Sequence, residues 1–100
     1  MRILRVSKKA EAELVDIITS LSDFSQNAAT KLYGAVIDKY DRLLEWPFMG
    51  PVCDHIKPGW RFFSVDGTYL IFYRVTDEVV EILHVVHGMR DLVRLYMYDD

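Results

Sequence analysis

Cysteine is nearly absent from this chain of 100 residues, and the one present, Cys53, stands alone. A single thiol cannot close an intrachain disulfide or build a cysteine-based metal site, so the fold must rest on its core, and a reducing compartment suits it. Proline is scarce as well, and all three copies, Pro47, Pro51 and Pro58, fall in one stretch. The segments on either side are therefore free to form regular structure. No apolar run approaches the roughly 18 residues that span a bilayer. The N-terminal MRILRVSKKAE turns polar too early for a signal peptide, so the expectation is a cytoplasmic protein. A basic surplus is missing too: 12 Lys and Arg against 15 Asp and Glu leave a net charge of -3. Proteins that live on nucleic acid usually carry the opposite balance, which argues against direct nucleic-acid binding and for a protein partner.

What is present is apolar and aromatic. Hydrophobic residues make up 51% of the chain and aromatics 13%, enough to drive one core. The length leaves no room for a second, so residues 1–100 are expected to form a single domain. RILRV, residues 2–6, is a short β-prone run. Ser7 then stands as an N-cap before KKAEAEL, with Glu11 and Glu13 near the helix start, where acidic groups are favoured. Ala10, Leu14, Ile17, Ile18, Leu21 and Phe24 recur at helical spacing. After the polar link SDFSQN, the residues Ala29, Leu32, Tyr33, Val36, Ile37, Tyr40, Leu43 and Leu44 mark a second helical face, ended by Pro47. So short a link predicts an antiparallel helical hairpin.

PFMGPVCDHIKPG, residues 47–59, follows neither periodicity and reads as an irregular connection. From Trp60 the period becomes two. WRFFSV, TYLIFYRV and VVEILHVV are separated by Asp66-Gly67 and Thr76-Asp77, which predicts a three-stranded meander. The whole is an α+β fold in the order β-α-α-β-β-β. An N-terminal strand and a helical hairpin pack on a small antiparallel sheet, and a short tail follows.

With two-residue turns, Val65 falls opposite Thr68 and Val75 opposite Glu78. One sheet face then carries Trp60, Phe62, Tyr69, Ile71, Tyr73, Val80, Ile82 and His84 and belongs under the helices. The other carries Arg61, Phe63, Leu70, Phe72, Arg74, Val79, Glu81, Leu83, Val85 and His87. That face is too apolar for open water, so another chain is expected to cover it, unless the tail folds back over it. On this face Arg61 and Glu81 can bridge across Phe72. No Gly-rich phosphate loop, HExxH or nucleophile elbow occurs, and no metal or cofactor is expected. Groups able to bind a phosphate and move a proton are limited to Arg61, His87, Arg90, Arg94 and Tyr96. His84 reads as a hydrogen-bonded core histidine, and His55 beside Asp54 as a loop residue.

SKKAEAELVDI, LLEWPFMGP, GWRFF, TYLIFYRV and EILHVVHGMRD stand in an order and spacing that resemble the RelE/ParE superfamily of bacterial toxins over nearly the whole chain. The resemblance implies a partner, a cognate antitoxin whose C-terminal segment wraps the toxin in a hetero-oligomer, with Phe63, Leu70, Phe72, Arg74 and Leu83 as contact residues. It also implies one of two targets. In the RelE-like branch, messenger RNA is cut on the ribosome, and Arg61, Arg90 and Tyr96 fall where that branch keeps a basic residue, an arginine and a tyrosine. Phe63 and Leu70, however, replace further basic groups, which weakens stabilisation of a phosphoryl transition state. The ParE-like branch poisons DNA gyrase without hydrolytic chemistry of its own, and His87, Arg90 and Arg94 are then the target contacts. The acidic pI, near 5.5, favours the second branch, with a ribosome-dependent endoribonuclease or a non-toxic antitoxin-binding remnant as alternatives.

Overall fold

The structure is a computed structural model and describes residues 1–88. Strand β1 (Ile3–Val6) leads into helix α1 (Lys8–Ser22), then α2 (Gln26–Glu45), β2 (Arg61–Val65), β3 (Tyr69–Val75) and β4 (Val79–His87). Both helices begin at serine caps. The Ala10 N–H donates to Ser7 Oγ at 3.0 Å, and the Ala28 N–H to Ser25 Oγ at 3.1 Å, each satisfying one of the donors that a helix start leaves free. Ala10 and Leu14 of α1, and Ala29, Leu32, Val36, Tyr40 and Leu43 of α2, are buried against the sheet. Tyr33, Ile37 and Leu44 lie at the edge of the α2 stripe and stay exposed, and Phe24 falls beyond α1, almost wholly in solvent.

The strand order is β1-β4-β3-β2. The meander is antiparallel, whereas β1 joins it parallel to β4, with Ile3 opposite Val79 and Val6 opposite Ile82. The sheet is therefore mixed. A parallel neighbour requires a long crossover, which the helical hairpin and the two intervening strands supply.

Register corrects the expected faces. Asp66 and Gly67 take φ of 58° and 68°, as a tight turn demands, but the ladder resumes with Val65 opposite Tyr69. Thr68 is thus one extra residue, and a slip of one turns every β2 side chain to the other face. Phe63 and Val65 point under the helices, while Phe62 lies on the outer side with Trp60. At the second turn Val75 pairs with Val80, a slip of two that leaves the faces unchanged. Finally, Tyr73 pairs with Ile82 but Phe72 with His84, so Leu83 is a bulge. Beyond it Val85, not His84, faces the helices.

Two apolar layers result. The larger joins α1 and α2 to Phe63, Val65, Ile71, Tyr73, Val80, Ile82 and Val85. The smaller lies on the opposite face, where Cys53, Ile56 and Trp60 cover Phe72, Val86 and Leu70. The irregular 46–60 connection is therefore the lid of a second core. Burial, with Asp54 adding to it, pushes the Cys53 thiol up, which keeps it protonated and inert.

Candidate functional site

The end of β4 carries His87 and Gly88. Gly88 has φ of 45°, and a Cβ there would stand 2.9 Å from the Thr68 carbonyl oxygen, so a side chain at this position would be strained and crowded. His87 lies opposite Tyr69, their rings edge to face at 5.3 Å. Both border a hollow of about 300 Å³ with Asp16, Ile17, Ser20 and Leu21 of the α1 end and Phe24 just past it. Of the expected target contacts, His87 is thus half-buried at the rim of a polar-apolar hollow. Arg90, Arg94 and Tyr96 lie outside the described residues.

Beyond Ile82, no strand among the described residues lies beside β4 on the β1 side, and α1 covers that edge chemically. The Val85 N–H donates to Glu13 Oε1 at 3.1 Å, the His84 Nδ1 sits 3.2 Å from the same oxygen, and Ser7 Oγ donates to the Leu83 carbonyl at 3.1 Å. His84 is buried, as read from its neighbours, but on the outer side, with Trp60 5.5 Å away. Glu13 was legible only as a helix-start acid. Its role depends on the bulge, which no local pattern announces.

Arg61 begins β2 and turns back to the connection before it. Its Nη1 donates to the Gly50 carbonyl at 2.6 Å and reaches Phe48 O at 3.4 Å, and its guanidinium lies over the Phe48 ring at 5.0 Å. It does not bridge to Glu81, which pairs with Arg74 directly across the strands at 2.8 Å. Gly50 is held from the other side as its N–H donates to the Tyr73 hydroxyl at 2.9 Å. Burial raises the Tyr73 pKa, partly offset by the Gly50 N–H and the Arg61 charge.

The residues expected to meet an antitoxin separate. Phe63 is 7% exposed and packs on Tyr73 in the helix-side core, with the Lys39 ammonium 5.8 Å from its ring centre. Phe72 is 1% exposed, covered by the chain's own connection. Neither can serve as an open contact without rearrangement. Leu70 and Leu83 are half-buried and Arg74 is exposed. A second concave surface, not singled out from sequence, opens between the helices. It is a groove of about 430 Å³ lined by Val6, Leu14, Val15, Ile18, Tyr33 and Ile37, among others. Its signal lay in the stripe itself, since Tyr33 and Ile37 widen the apolar arc of α2 beyond what one sheet can cover.

Among the described residues no cluster of three His, Cys, Asp or Glu could hold a metal, and no helix is long and apolar enough to cross a membrane.

The β-α-α-β-β-β order on a four-stranded mixed sheet is shared by a solved chain described as "Chromosomal ParDE TA system from P. aeruginosa". The two superpose with a TM-score of 0.75 at 20% identity, over 87% of this chain and 96% of that one. The family model described as "ParE toxin of type II toxin-antitoxin system, parDE" matches residues 4–92. The chain belongs to the ParE toxin family. It is also similar to the proteins called Toxin ParE1 from Mycobacterium tuberculosis, strains CDC 1551 and H37Rv, each 40% identical over 55 residues. That match takes in 54% of this chain and 55% of each relative, so it spans about half the length of the curated ParE relatives.

Proposed function

We propose that this ParE-family chain acts as a toxin that a cognate antitoxin holds inactive and that, when free, binds and poisons DNA gyrase. One observation carries the choice of target: the geometry around Arg61 and Phe63. A phosphoryl-transfer site needs cations aimed at developing negative charge. Arg61 instead directs its Nη1 at loop carbonyls, and Phe63, at a position where the RNA-cutting branch keeps a basic group, lies in the core. Of the groups that an RNase would use, the two among the described residues sit at different rows of the sheet, Arg61 opposite Tyr73 and His87 opposite Tyr69. His87, with Arg90 and Arg94 beyond it, is the proposed gyrase contact. The antitoxin's C-terminal segment is proposed to occupy the groove between α1 and α2 and to reach Leu70, Arg74 and Leu83 on the outer face.

The deciding experiment pairs a gyrase supercoiling assay with ribosome-dependent mRNA cleavage, on wild type, Arg90→Ala and Tyr96→Phe. Wild type and Tyr96→Phe should inhibit supercoiling alike, and Arg90→Ala should inhibit less. If the wild type instead cleaves mRNA in a codon-linked way, loses about 10²-fold on Tyr96→Phe and leaves supercoiling untouched, the endoribonuclease reading replaces this one. Calorimetric titration with the antitoxin expressed from the adjacent reading frame tests the partner surface. Ile37→Asp would place an unpaired charge in the groove and should weaken binding strongly.

A further inference from the structure

The connection from α2 to β2 displays large apolar side chains at an unusual density. Trp46 is 64% exposed and Phe48 57%, and Met49 and Val52 are exposed with them, all within seven consecutive residues. This is not a loose loop. The Met49 N–H donates to Trp46 O at 3.1 Å, the Gly50 N–H to Tyr73 Oη at 2.9 Å, the Phe62 N–H to Pro51 O at 3.2 Å and the Cys53 N–H to Trp60 O at 2.7 Å. Pro47 and Pro51 fix two more dihedrals. A surface held this firmly loses little conformational entropy when a partner binds, so its apolar area is available to affinity.

The same surface carries positive charge. The guanidiniums of Arg2 and Arg61 lie over the Phe48 ring, 5.3 and 5.0 Å from its centre. Arg2 Nε donates to the Thr76 carbonyl at 2.7 Å, and Arg61 bonds to the loop carbonyls described above. Among the described residues neither arginine makes an ion pair. Each retains guanidinium donors of the kind that match a carboxylate in bidentate geometry.

We propose that Trp46, Phe48, Met49 and Val52, with Arg2 and Arg61, form a docking surface for a protein segment that presents an apolar side chain beside carboxylates. The surface shares no residue with the groove between the helices. Charge separates a peptide from a nucleic acid here. The Glu45 carboxylate accepts from the Trp46 indole N–H at 2.8 Å and places a negative charge at the rim of a chain whose net charge is -3. A polynucleotide brings a phosphate with every residue and meets that charge. A peptide can set its carboxylates at the two arginines alone.

The test selects random dodecapeptides displayed on phage against the immobilised full chain, with counter-selection on a Trp46→Ser, Phe48→Ser double variant. An enriched peptide is then synthesised and titrated calorimetrically against wild type, the double variant and Arg2→Gln. Enriched peptides should carry an aromatic or aliphatic residue flanked by Asp or Glu. Arg2→Gln should weaken binding by about 10-fold, the scale of one hydrogen bond to a charged group. Binding to the double variant should be lost while its circular dichroism and unfolding midpoint stay near wild type. Arg2→Gln, at an N-terminal site outside the core, keeps the test decisive should the double variant misfold. The proposal is overturned by failure to enrich, by enrichment of peptides without acidic residues, by unchanged affinity in Arg2→Gln, or by competition from a short oligothymidylate.

Discussion

The two faces of one sheet are sealed by different means. Under the helices, a pair of capped, amphipathic elements covers Ile71, Tyr73, Val80 and Ile82. On the reverse, an irregular connection holding all three prolines covers Phe72 and Val86 with Cys53, Ile56 and Trp60. Adjacent residues sample both, since Ile71 and Phe72 are each almost fully buried but point to opposite layers. A helix supplies its own backbone hydrogen bonds and needs only an apolar stripe to act as a lid. A loop must find partners for its backbone groups one at a time, through Tyr73, Arg61 and the Trp60 carbonyl here. The helix lid is therefore a matter of periodicity, and the loop lid a matter of particular contacts.

The sharpest test of that comparison is Ile71→Ala beside Phe72→Ala. If the outer layer is a core in its own right, Phe72→Ala should cost about 3–5 kcal/mol and Ile71→Ala about 2–5 kcal/mol by urea unfolding. A cost below about 1 kcal/mol for Phe72→Ala alone would reduce the connection to a flap that collapses or opens freely.

A somewhat smaller effect is expected at the hinge of the loop lid. A Cβ on Gly50 would stand 2.3 Å from the Phe62 carbonyl oxygen and 2.7 Å from the Tyr73 hydroxyl. Gly50→Ala must therefore shift the backbone and should cost about 3 kcal/mol, the upper part of the usual overpacking range. Trp60 shares the outer layer, so its fluorescence should change in the folded state as well. A fold as stable as wild type, with an unaltered spectrum, would show that the hydrogen bond from Gly50 to Tyr73 does not anchor the lid.

These contacts also mark how far the sequence could be read. The helices, the Ser7 cap, the element order and the β3 faces followed from local rules, because period and capping are properties of neighbouring residues. Register is not. One extra residue, Thr68, moved Phe63 inward and Phe62 outward, and the Leu83 bulge exchanged the roles of His84 and Val85. The slip of two at the second turn did no such harm, since strand parity survives it. The same arithmetic governed the candidate site. Arg61 was legible as a cation of interest, but its engagement with Phe48 and Gly50 was not, because both partners lie in a segment without periodicity.

The open β4 edge offers a test of intermediate size. Glu13→Ala removes the acceptor for the Val85 N–H at an edge where β4 has no strand neighbour among the described residues, and an unpaired donor of this kind costs about 1–3 kcal/mol. Partial exposure of the edge to water places the expectation near 1 kcal/mol, with faster hydrogen exchange at Val85 than in wild type. Unchanged exchange at that amide would mean that the bulge, rather than Glu13, protects the edge.

The smallest effect belongs to the helix lid and turns on one hydroxyl. Tyr40 is buried in the helix-side core, and among the described residues its Oη has no hydrogen-bond partner. Burial, with Tyr33 adding to it, pushes its pKa up to about 12. The neutral phenol is thus favoured in the folded state, whereas the unfolded chain releases its proton near pH 10. Below about pH 10 neither state is ionised at this residue, and its contribution to stability is fully present. Between about pH 10 and 12 the unfolded state binds fewer protons, so stability falls as pH rises, by about 3 kcal/mol in all from this group. Tyr40→Phe removes the hydroxyl without opening a large cavity. At neutral pH it should leave stability unchanged or raise it by up to about 1 kcal/mol, because an unsatisfied polar atom leaves the core. Above pH 10 the variant should lose stability less steeply than wild type, while Tyr73, also raised by burial, maintains a residual slope of the same sign. Urea unfolding of both proteins across the alkaline range measures the difference. A destabilised variant with the wild-type slope would show that the Tyr40 hydroxyl is bonded in solution and that the helix lid, like the loop lid, depends on a particular polar contact.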